Sequence, residues 1–270
     1  MGKIGIVGLG LIGGSIFKVL TALGYEVCAV STSMQGFLPN ILADYNCLKD
    51  CEIVFVCTPM NKALEVLDTL EHVLSPNTIV TDVCSLKTFV CQKERPYIFI
   101  PSHPMAGTEH KGFENSFEGL FKGAKWVITP LPQEIGHDES DLIHDRQNSE
   151  ARQKLEKLIK EMGALPIITT PKEHDEAVAL ISHMPMVVAQ ALFLAASENK
   201  LALKIAASGF RDMTRLAMSN EEMACDMVDM NAENIQNAIL RLYKSLGDLM
   251  GKNYAETIDQ IKSQREKMFI

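Results

Sequence analysis

Residues 4–15 of this 270-residue chain, Ile-Gly-Ile-Val-Gly-Leu-Gly-Leu-Ile-Gly-Gly-Ser, decide its fold. A short apolar run leads into a GxGxxG pattern, after which apolar residues recur at helical spacing. In such a strand, turn and helix the first glycine permits a tight turn, the second lets backbone approach a pyrophosphate, and the third lets helix pack closely on strand. The amino terminus of the helix attracts the anion. We predict a dinucleotide site that includes Gly8, Gly10, Leu11, Ile12 and Gly13.

The residue that selects the cofactor is expected about twenty positions later, at the end of the next predicted strand. Ser31, Thr32 and Ser33 occupy that place. An acidic residue there would bind the adenosine ribose and repel a 2′-phosphate, whereas hydroxyl groups leave room for the phosphate and can donate to it. No arginine follows to clamp the phosphate. The sequence therefore predicts NADP or NAD as cofactor, with NADP slightly favoured.

Composition and charge narrow the class of protein. A formal net charge of −8 gives no general attraction to nucleic acid or to anionic lipid. The seven cysteines show neither a CxxC pair nor metal-ligand spacing, which favours reduced core thiols and no metal site. The first strand begins almost at once, and we identify no apolar stretch of membrane-spanning length. We therefore expect a cytoplasmic protein without nucleic-acid or membrane partners.

Strand-like apolar runs alternate with helical patterns through the first half of the chain. This alternation predicts an α/β fold, a Rossmann-like doubly wound parallel sheet in residues 1–170. The predicted strands are residues 3–7, 26–30, 53–57, 79–82, 97–100, 126–129 and 165–169. Thr58 and Pro59 follow the third of them, at the edge where such sheets bind ligands, so we assign both to cofactor binding. Residues 133–149 are polar and unpatterned, which predicts a mobile surface loop.

Residues 171–270 have long helical periodicities and almost no strand signal, which predicts an all-α second domain. One apolar stripe consists of Ile235, Ile239, Leu242, Leu246 and Leu249. This apolar content is too great for a thin layer on the first domain. We therefore expect helices that bind substrate and pack against a second copy of the chain, giving a homodimer.

His103 is the strongest candidate for catalysis, because it directly follows the fifth predicted strand at the edge where a nicotinamide would lie. There an imidazole can accept a hydroxyl proton while hydride leaves the same carbon. The alternative is an ordinary loop histidine. Ser85, just past the neighbouring strand, can hold His103 or the substrate hydroxyl by a hydrogen bond, or simply cap a helix.

Six motifs together resemble the prephenate/arogenate dehydrogenase family of tyrosine biosynthesis over nearly the whole chain. They are GLGLIGGS at 8–15, VCTPM at 56–60, TDVCSLK at 81–87, SHPMAGTE at 102–109, EHDEAVALISHMP at 173–185 and ASGFRDMTR at 207–215. The resemblance implies an oxidative decarboxylation in which hydride passes from a ring carbinol to the nicotinamide and the ring becomes aromatic. It also implies that His103 is the catalytic histidine, that Ser85 supports it, and that Arg215 binds a substrate carboxylate. Glu109, which ends the 102–109 motif, is assigned to the substrate site.

Further basic residues are candidates for a substrate with two carboxylates, since an acidic protein needs locally placed cations to hold it. Arg211 lies four residues before Arg215, on the same face if that segment is helical. His174 and His183 are both candidates for substrate contact. Nine residues of regular helix place them on opposite faces, so one of them reaches a site across the dimer or is structural, unless Pro185 distorts the helix.

Three alternatives stay open on the sequence alone. Prephenate and arogenate differ only in a side-chain keto or amino group, and the basic residues favour prephenate. A dehydrogenase of β-hydroxy acids would use a catalytic lysine in the helical half, which is not the pattern here. A non-catalytic NADP-binding sensor would need only the glycine turn. The chain also has Met186 where many relatives have a second histidine.

Overall fold

A computed structural model describes residues 2–108, 110–130, 139–251 and 254–268, with only the backbone described in residues 139–147. The chain divides into two units. The first consists of Met1–Val178 and Met218–Met230, and the second of Ala179–Ala217 and Asn231–Ile270. The boundary between the units lies after Val178, eight residues beyond the predicted domain boundary at residue 170. Residues 218–230, which were predicted to belong to the second domain, are part of the first unit.

The first unit is built on parallel strands. In chain order the strands are β1 Lys3–Val7, β2 Val27–Val30, β3 Ile41–Leu42, β4 Cys51–Val56, β5 Ile79–Asp82, β6 Ile98–Phe99, β7 Ser102–Pro104, β8 Lys125–Ile128 and β9 Leu165–Ile168. The six-stranded sheet has the order β3-β2-β1-β4-β5-β6, and all of its pairs are parallel. This order is that of a Rossmann sheet, in which ligands bind where the strand order reverses, between β1 and β4. The predicted doubly wound sheet is confirmed.

Helices cover both faces of this sheet. In chain order the helices of the chain are α1 Leu11–Ala22, α2 Met60–Leu70, α3 Glu139–Glu161, α4 Pro171–Val178, α5 Met184–Ser197, α6 Lys200–Lys204, α7 Ser208–Met213, α8 Glu221–Met230, α9 Ala232–Gly251 and α10 Tyr254–Met268. Successive strand residues point to opposite faces, so Ile53 and Phe55 join the cluster that contains α1 and α3, whereas Val54 and Val56 join the cluster that contains α2. Both faces are therefore apolar, which explains the continuous apolar runs in the sequence.

Two predicted strands lie outside the main sheet. β8 and β9 form a separate three-stranded sheet with the short strand β7, and β7 pairs antiparallel with β8. The single-sheet expectation for residues 126–129 is therefore wrong. Within the described part of the predicted 133–149 loop, residues 139–149 belong to α3, so that part of the prediction is also wrong. Residues 133–138 lie outside the described residues. The residues Ala151, Leu155 and Leu158 in the second half of α3 are buried. The polar first half continues the same helix, because extending an existing helix costs less free energy than nucleating a new one.

The second unit is helical, as predicted. The π-helical turn Ala179–His183 links α4 to α5. A π turn widens the helix, and Pro185 explains its position because proline cannot donate the backbone hydrogen bond of a regular turn. The continuous run Pro171–Ser197 is long and apolar enough to cross a membrane by length and composition, with a mean hydropathy of 1.8 in its most apolar window. The expectation that no stretch has this length is therefore wrong, although a core helix of a globular protein passes the same test.

Candidate active site

The glycine turn has the geometry that a bound pyrophosphate requires. Gly8 has a φ of +94°, and a Cβ at this position would lie 2.8 Å from the carbonyl oxygen of Cys57. A Cβ at Gly13 would lie 2.0 Å from the carbonyl oxygen of Gly8. A Cβ at Gly10, in contrast, would meet no atom within 4 Å, so the backbone there faces open space. The three glycines therefore serve the turn, the helix packing and the open approach that were predicted for them.

Two further observations fit a dinucleotide at this edge of the sheet. The N-cap residue of α1 is Gly10, which offers no side-chain cap, and no acidic residue lies in the first turn, so the backbone N–H groups there are left for an anion. Thr58 follows β4, and its buried Oγ1 has no hydrogen-bond partner. A buried hydroxyl without a partner is costly, so this atom fits a site completed by a polar ligand. The residues present therefore fit a nicotinamide dinucleotide.

The hydroxyl triplet lies directly after β2. Ser31 is buried, and its Oγ lies 3.3 Å from Ser33 Oγ. Thr32 and Ser33 are exposed. The loop therefore presents two accessible hydroxyl groups, and residues 31–40 carry no charge that would repel a phosphate.

His103 lies on β7, where it pairs with Val127 of β8, and its ring contacts a second histidine. Its Nδ1 lies 2.9 Å from Nε2 of His174, and the two rings are nearly perpendicular at 77°. His174 Nδ1 in turn lies 2.8 Å from Oδ1 of Asp175. His174 is 2% exposed and Asp175 is 4% exposed, so the chain of three groups ends inside the first unit.

Asp175 is held by backbone donors from the loop after β5. The N–H of Lys87 donates to Oδ1 and the N–H of Thr88 donates to Oδ2, each at 2.8 Å. Burial alone would raise the pKa of Asp175, but hydrogen bonds from His174, Thr88 and Lys87 outweigh it and lower the pKa below its usual value. Asp175 is therefore an ionised carboxylate at neutral pH.

The buried ion pair between Lys87 and Asp82 contacts Ser102, the first residue of β7. Lys87 and Asp82 form a salt bridge in which both side chains are fully buried, and Lys87 Nζ also donates to the carbonyl oxygen of Ser102 at 2.6 Å. Asp82 accepts from the N–H groups of Cys84 and Ser102, at 2.9 and 3.3 Å. These bonds fix Ser102, and therefore the position of the adjacent His103.

The other predicted residues of this unit have different outcomes. Ser85 is half-buried in the loop after β5, and Nδ1 of His103 contacts Nε2 of His174. The role of Ser85, as a support for His103 or as a contact for the substrate hydroxyl, stays a prediction. Glu109 lies outside the described residues. His174, predicted to touch substrate, instead has both ring nitrogens engaged by protein groups.

His183 belongs to the second unit and has a different partner. Its Nδ1 lies 3.1 Å from Nδ2 of Asn231, and Asn234 Nδ2 donates to Asn231 Oδ1 at 2.8 Å. An amide nitrogen can only donate, so the N–H of Asn231 Nδ2 donates to His183 Nδ1, and the proton of a neutral His183 ring belongs on Nε2. His183 is 1% exposed, and the π turn ends at this residue.

The two candidate arginines, Arg211 and Arg215, lie in the second unit and are exposed. Arg211 lies on α7, its side chain is 80% exposed, and its Nε lies 3.5 Å from Oδ1 of Asp212. Arg215 begins a separate 3₁₀ turn at Arg215–Met218, so the two do not share one continuous helix. Both stay predictions as carboxylate ligands.

Three buried side chains of the first unit that hold the surroundings of His103 were not assigned a role from the sequence: Asp82, Lys87 and Asp175. Each lies within a motif that was identified, 81–87 or 173–185. Asp82 ends β5 and Lys87 follows five residues later, while Asp175 follows His174 directly.

Two regions of the chain match models of the same protein family. Residues 36–143 match the model of the prephenate dehydrogenase nucleotide-binding domain, and residues 170–263 match the model of the prephenate dehydrogenase dimerization domain. The prephenate dehydrogenase of Bacillus subtilis is 30% identical over 251 residues, which cover 85% of this chain and 64% of that protein. The chain thus spans slightly less than two thirds of the length of this relative.

Two solved structures are similar over almost their whole length. Synechocystis arogenate dehydrogenase is 31% identical, with a TM-score of 0.77 and coverage of 98% of this chain and 99% of that one. The prephenate dehydrogenase of A. aeolicus, in complex with hydroxyphenyl propionate and NAD+, is 25% identical, with a TM-score of 0.81 and coverage of 99% and 98%. The chain therefore belongs to the prephenate/arogenate dehydrogenase family.

Proposed function

We propose that this protein is a prephenate dehydrogenase, which converts prephenate to 4-hydroxyphenylpyruvate by oxidative decarboxylation with NAD(P)+ in tyrosine biosynthesis. The observation that carries the proposal is the placement of His103 just past the parallel sheet, with Nδ1 directed at His174. A base in this place can take a hydroxyl proton from a substrate. When bound, the nicotinamide accepts the hydride.

The protein groups then have defined tasks. His103 accepts the proton of the ring hydroxyl as the hydrogen on the same carbon leaves as hydride. The ring carboxylate leaves as carbon dioxide, its electron pair makes the ring aromatic, and His103 returns the proton to the phenolate oxygen. Arg215 binds a substrate carboxylate through its planar guanidinium, and Ser85 contacts the hydroxyl group.

Arogenate is the second candidate substrate, because the Synechocystis relative is an arogenate dehydrogenase and is 31% identical. Arogenate carries an ammonium group where prephenate carries a keto group, so a pocket for arogenate should present an acid or carbonyl groups. Arg211, Arg215 and His183 instead add donors and positive charge, which favours prephenate.

For the cofactor we propose that both NADP and NAD are used, with NADP slightly favoured. The uncharged loop after β2 and its two exposed hydroxyl groups support this preference. The lack of a nearby arginine in residues 31–40 limits its strength.

We also propose a cytoplasmic homodimer. The match to a dimerization domain supports it, as does the apolar stripe on α9, where Ile239 and Leu246 are 37% and 53% exposed in one copy. Such apolar surface is typical of a helical face that packs against another subunit. The seven cysteines, all of them in the described part of the chain, are free thiols, as expected in a reducing compartment.

The test is a steady-state assay of the purified protein with prephenate and with arogenate, each with NAD and with NADP. We expect the highest kcat/KM with prephenate, turnover with both cofactors, and a solution mass of twice 29.9 kDa. Higher efficiency with arogenate would reassign the substrate. Binding of NADP without turnover of either compound would support the sensor alternative instead.

A further inference from the structure

We infer that Asp175 and His174 are positioning residues, which fix the tautomer of His103 so that Nε2 is the basic nitrogen presented to substrate. This inference rests on the proposed role of His103 as general base. It is carried by the continuous contacts from His103 Nδ1 to His174 Nε2 at 2.9 Å and from His174 Nδ1 to Asp175 Oδ1 at 2.8 Å.

The proton order follows from the carboxylate end. Ionised Asp175 can only accept hydrogen bonds, so Nδ1 of His174 must carry a proton and donate to it. In a neutral His174 ring the other nitrogen, Nε2, is then an acceptor. His103 Nδ1 must therefore carry the proton that is donated to His174, and in a neutral His103 ring Nε2 is the acceptor nitrogen. The orientation of each ring is set by its neighbour, as in a histidine held by a buried aspartate.

The same contacts favour the protonated state that catalysis creates. When His103 takes a proton on Nε2, its Nδ1–H still donates to His174, and the charge of Asp175 stabilises the imidazolium. Asp175 is 4% exposed, so solvent and salt screen this attraction only weakly.

Other titratable groups near β7 do not replace Asp175. They come from β5 with its following loop and from β8, and are Asp82, Cys84, Lys87 and Lys125. Asp82 and Lys87 neutralise each other in their buried salt bridge. Burial raises the pKa of the Cys84 thiol, which keeps it neutral, and Lys125 is exposed to solvent. Among the residues that the structure describes, Asp175 is therefore the buried anion that acts on His103 through His174.

The kinetic test compares two amide substitutions on the same helical turn. Asp175→Asn removes the charge and leaves an amide that can no longer enforce the proton order. We expect kcat to fall by about 10²-fold, the lower end of the range for loss of a general base because His103 itself remains, with KM for substrate and cofactor nearly unchanged. The acid limb of the kcat/KM profile should move to lower pH, because the imidazolium has lost its anion. A merely structural role would leave that limb in place.

Glu173→Gln is the matched control. Glu173 is an exposed carboxylate that accepts hydrogen bonds from Thr169 and Thr170 at the start of α4, so the control perturbs the same turn without touching the histidines. We expect its pH profile and kcat to match those of the unaltered protein. If both variants lowered kcat equally, or if Asp175→Asn raised KM while kcat and the pH profile stayed unchanged, the inference would be overturned.

A measurement without substrate separates this inference from the proposed function. Nitrogen-15 NMR of the unaltered protein above about pH 8, where histidine rings are neutral, identifies the protonated nitrogen of each ring. We expect Nδ1–H on both His103 and His174, with signals assigned by loss in the His103→Asn and His174→Asn variants. An Nε2–H tautomer of His103 would overturn the inference even if prephenate is turned over. Absence of turnover with the expected tautomers would instead contradict the proposed function alone.

Discussion

The two units of the chain differ in how completely a single copy buries its apolar side chains and pairs its buried charges. In the first unit, apolar clusters fill both faces of the parallel sheet, and the buried charges of Asp82, Lys87 and Asp175 all have partners. In the second unit the buried apolar side chains, among the residues described, are Ala179, Met186, Ala189, Ile235 and Ala238. Large apolar side chains of the same unit, such as Leu240, Tyr243 and Met250, are 65%, 76% and 86% exposed.

Because of this difference, the candidate site residues of the two units depend on different parts of the protein. His103 contacts His174 within one copy, so its proposed role as a base depends on the first unit folding correctly. Arg211 and Arg215 lie on exposed surface of a unit that is itself short of buried apolar area. Their proposed task as carboxylate ligands needs substrate, and the exposed apolar surface of the unit that carries them is typical of a face that packs against a second copy. Substitutions in the first unit should therefore affect chemistry and folding, whereas those in the second should affect substrate affinity.

The largest effect is expected for His103→Asn. Removing the base should lower turnover by about 10²–10⁴-fold, the usual range for a positioned general base. Cofactor affinity should hardly change, since the glycine turn and Thr58 are untouched. Stopped-flow or steady-state turnover and a direct cofactor titration measure the two quantities. Turnover close to that of the unaltered protein would remove His103 from the catalytic role.

The next effect concerns folding of the first unit. Lys87→Met leaves Asp82 as an uncompensated buried carboxylate, which should lower the free energy of unfolding by about 3–5 kcal/mol. Denaturant unfolding measures this loss. Lys93→Met is the control, because Lys93 is exposed and pairs with Asp68 and Glu71 on the surface, so its loss should be much smaller. Equal losses in the two variants would show that the buried pair is not what supports β7.

The sheet was largely predictable because its strands are buried on both sides. Continuous apolar runs of four to six residues predicted β1, β2, β4 and β5. β3 and β7 were missed, since two or three residues show no periodicity and β7 ends in a proline. The helical start of α3 was missed because residues 139–149 have no apolar stripe and owe their conformation to the anchored second half of the helix.

The place of His103 in the fold could be predicted from the sequence, whereas its side-chain contacts could not. The position of His103 followed from the end of a strand, a local signal. Its contact with His174 joins residues 71 positions apart, and no local pattern encodes such a contact. Regular helix geometry placed His174 and His183 on opposite faces, whereas the π turn between them and the division of the chain give each histidine its own buried partner.

In the second unit, Arg215→Ala tests the substrate contact. Loss of a charge-assisted contact to a carboxylate should cost about 2–5 kcal/mol of substrate binding. KM should therefore rise far more than kcat falls, as measured in steady state with saturating cofactor. Arg211→Ala is the control, since Arg211 is paired with Asp212 on the surface and should matter less. An unchanged KM for Arg215→Ala would contradict the assignment, and a larger effect of Arg211→Ala would exchange the two roles.

The smallest effect is expected at the cofactor loop and tests whether cofactor choice belongs to the first unit alone. Ser31→Asp places a carboxylate where a 2′-phosphate is predicted, so like-charge repulsion should shift the ratio of kcat/KM from NADP toward NAD by at least about tenfold, or about 1.4 kcal/mol. Ser31→Asn has nearly the same size without the charge and should shift the ratio much less. KM for prephenate should stay unchanged in both variants, because the hydroxyl triplet lies at the end of β2, where the adenosine ribose is expected to bind. If the unaltered protein oxidised prephenate with NAD but not with saturating NADP, the hydroxyl triplet would not be the site that accepts the phosphate. If KM for prephenate changed in either variant, the cofactor loop and the substrate site would be coupled.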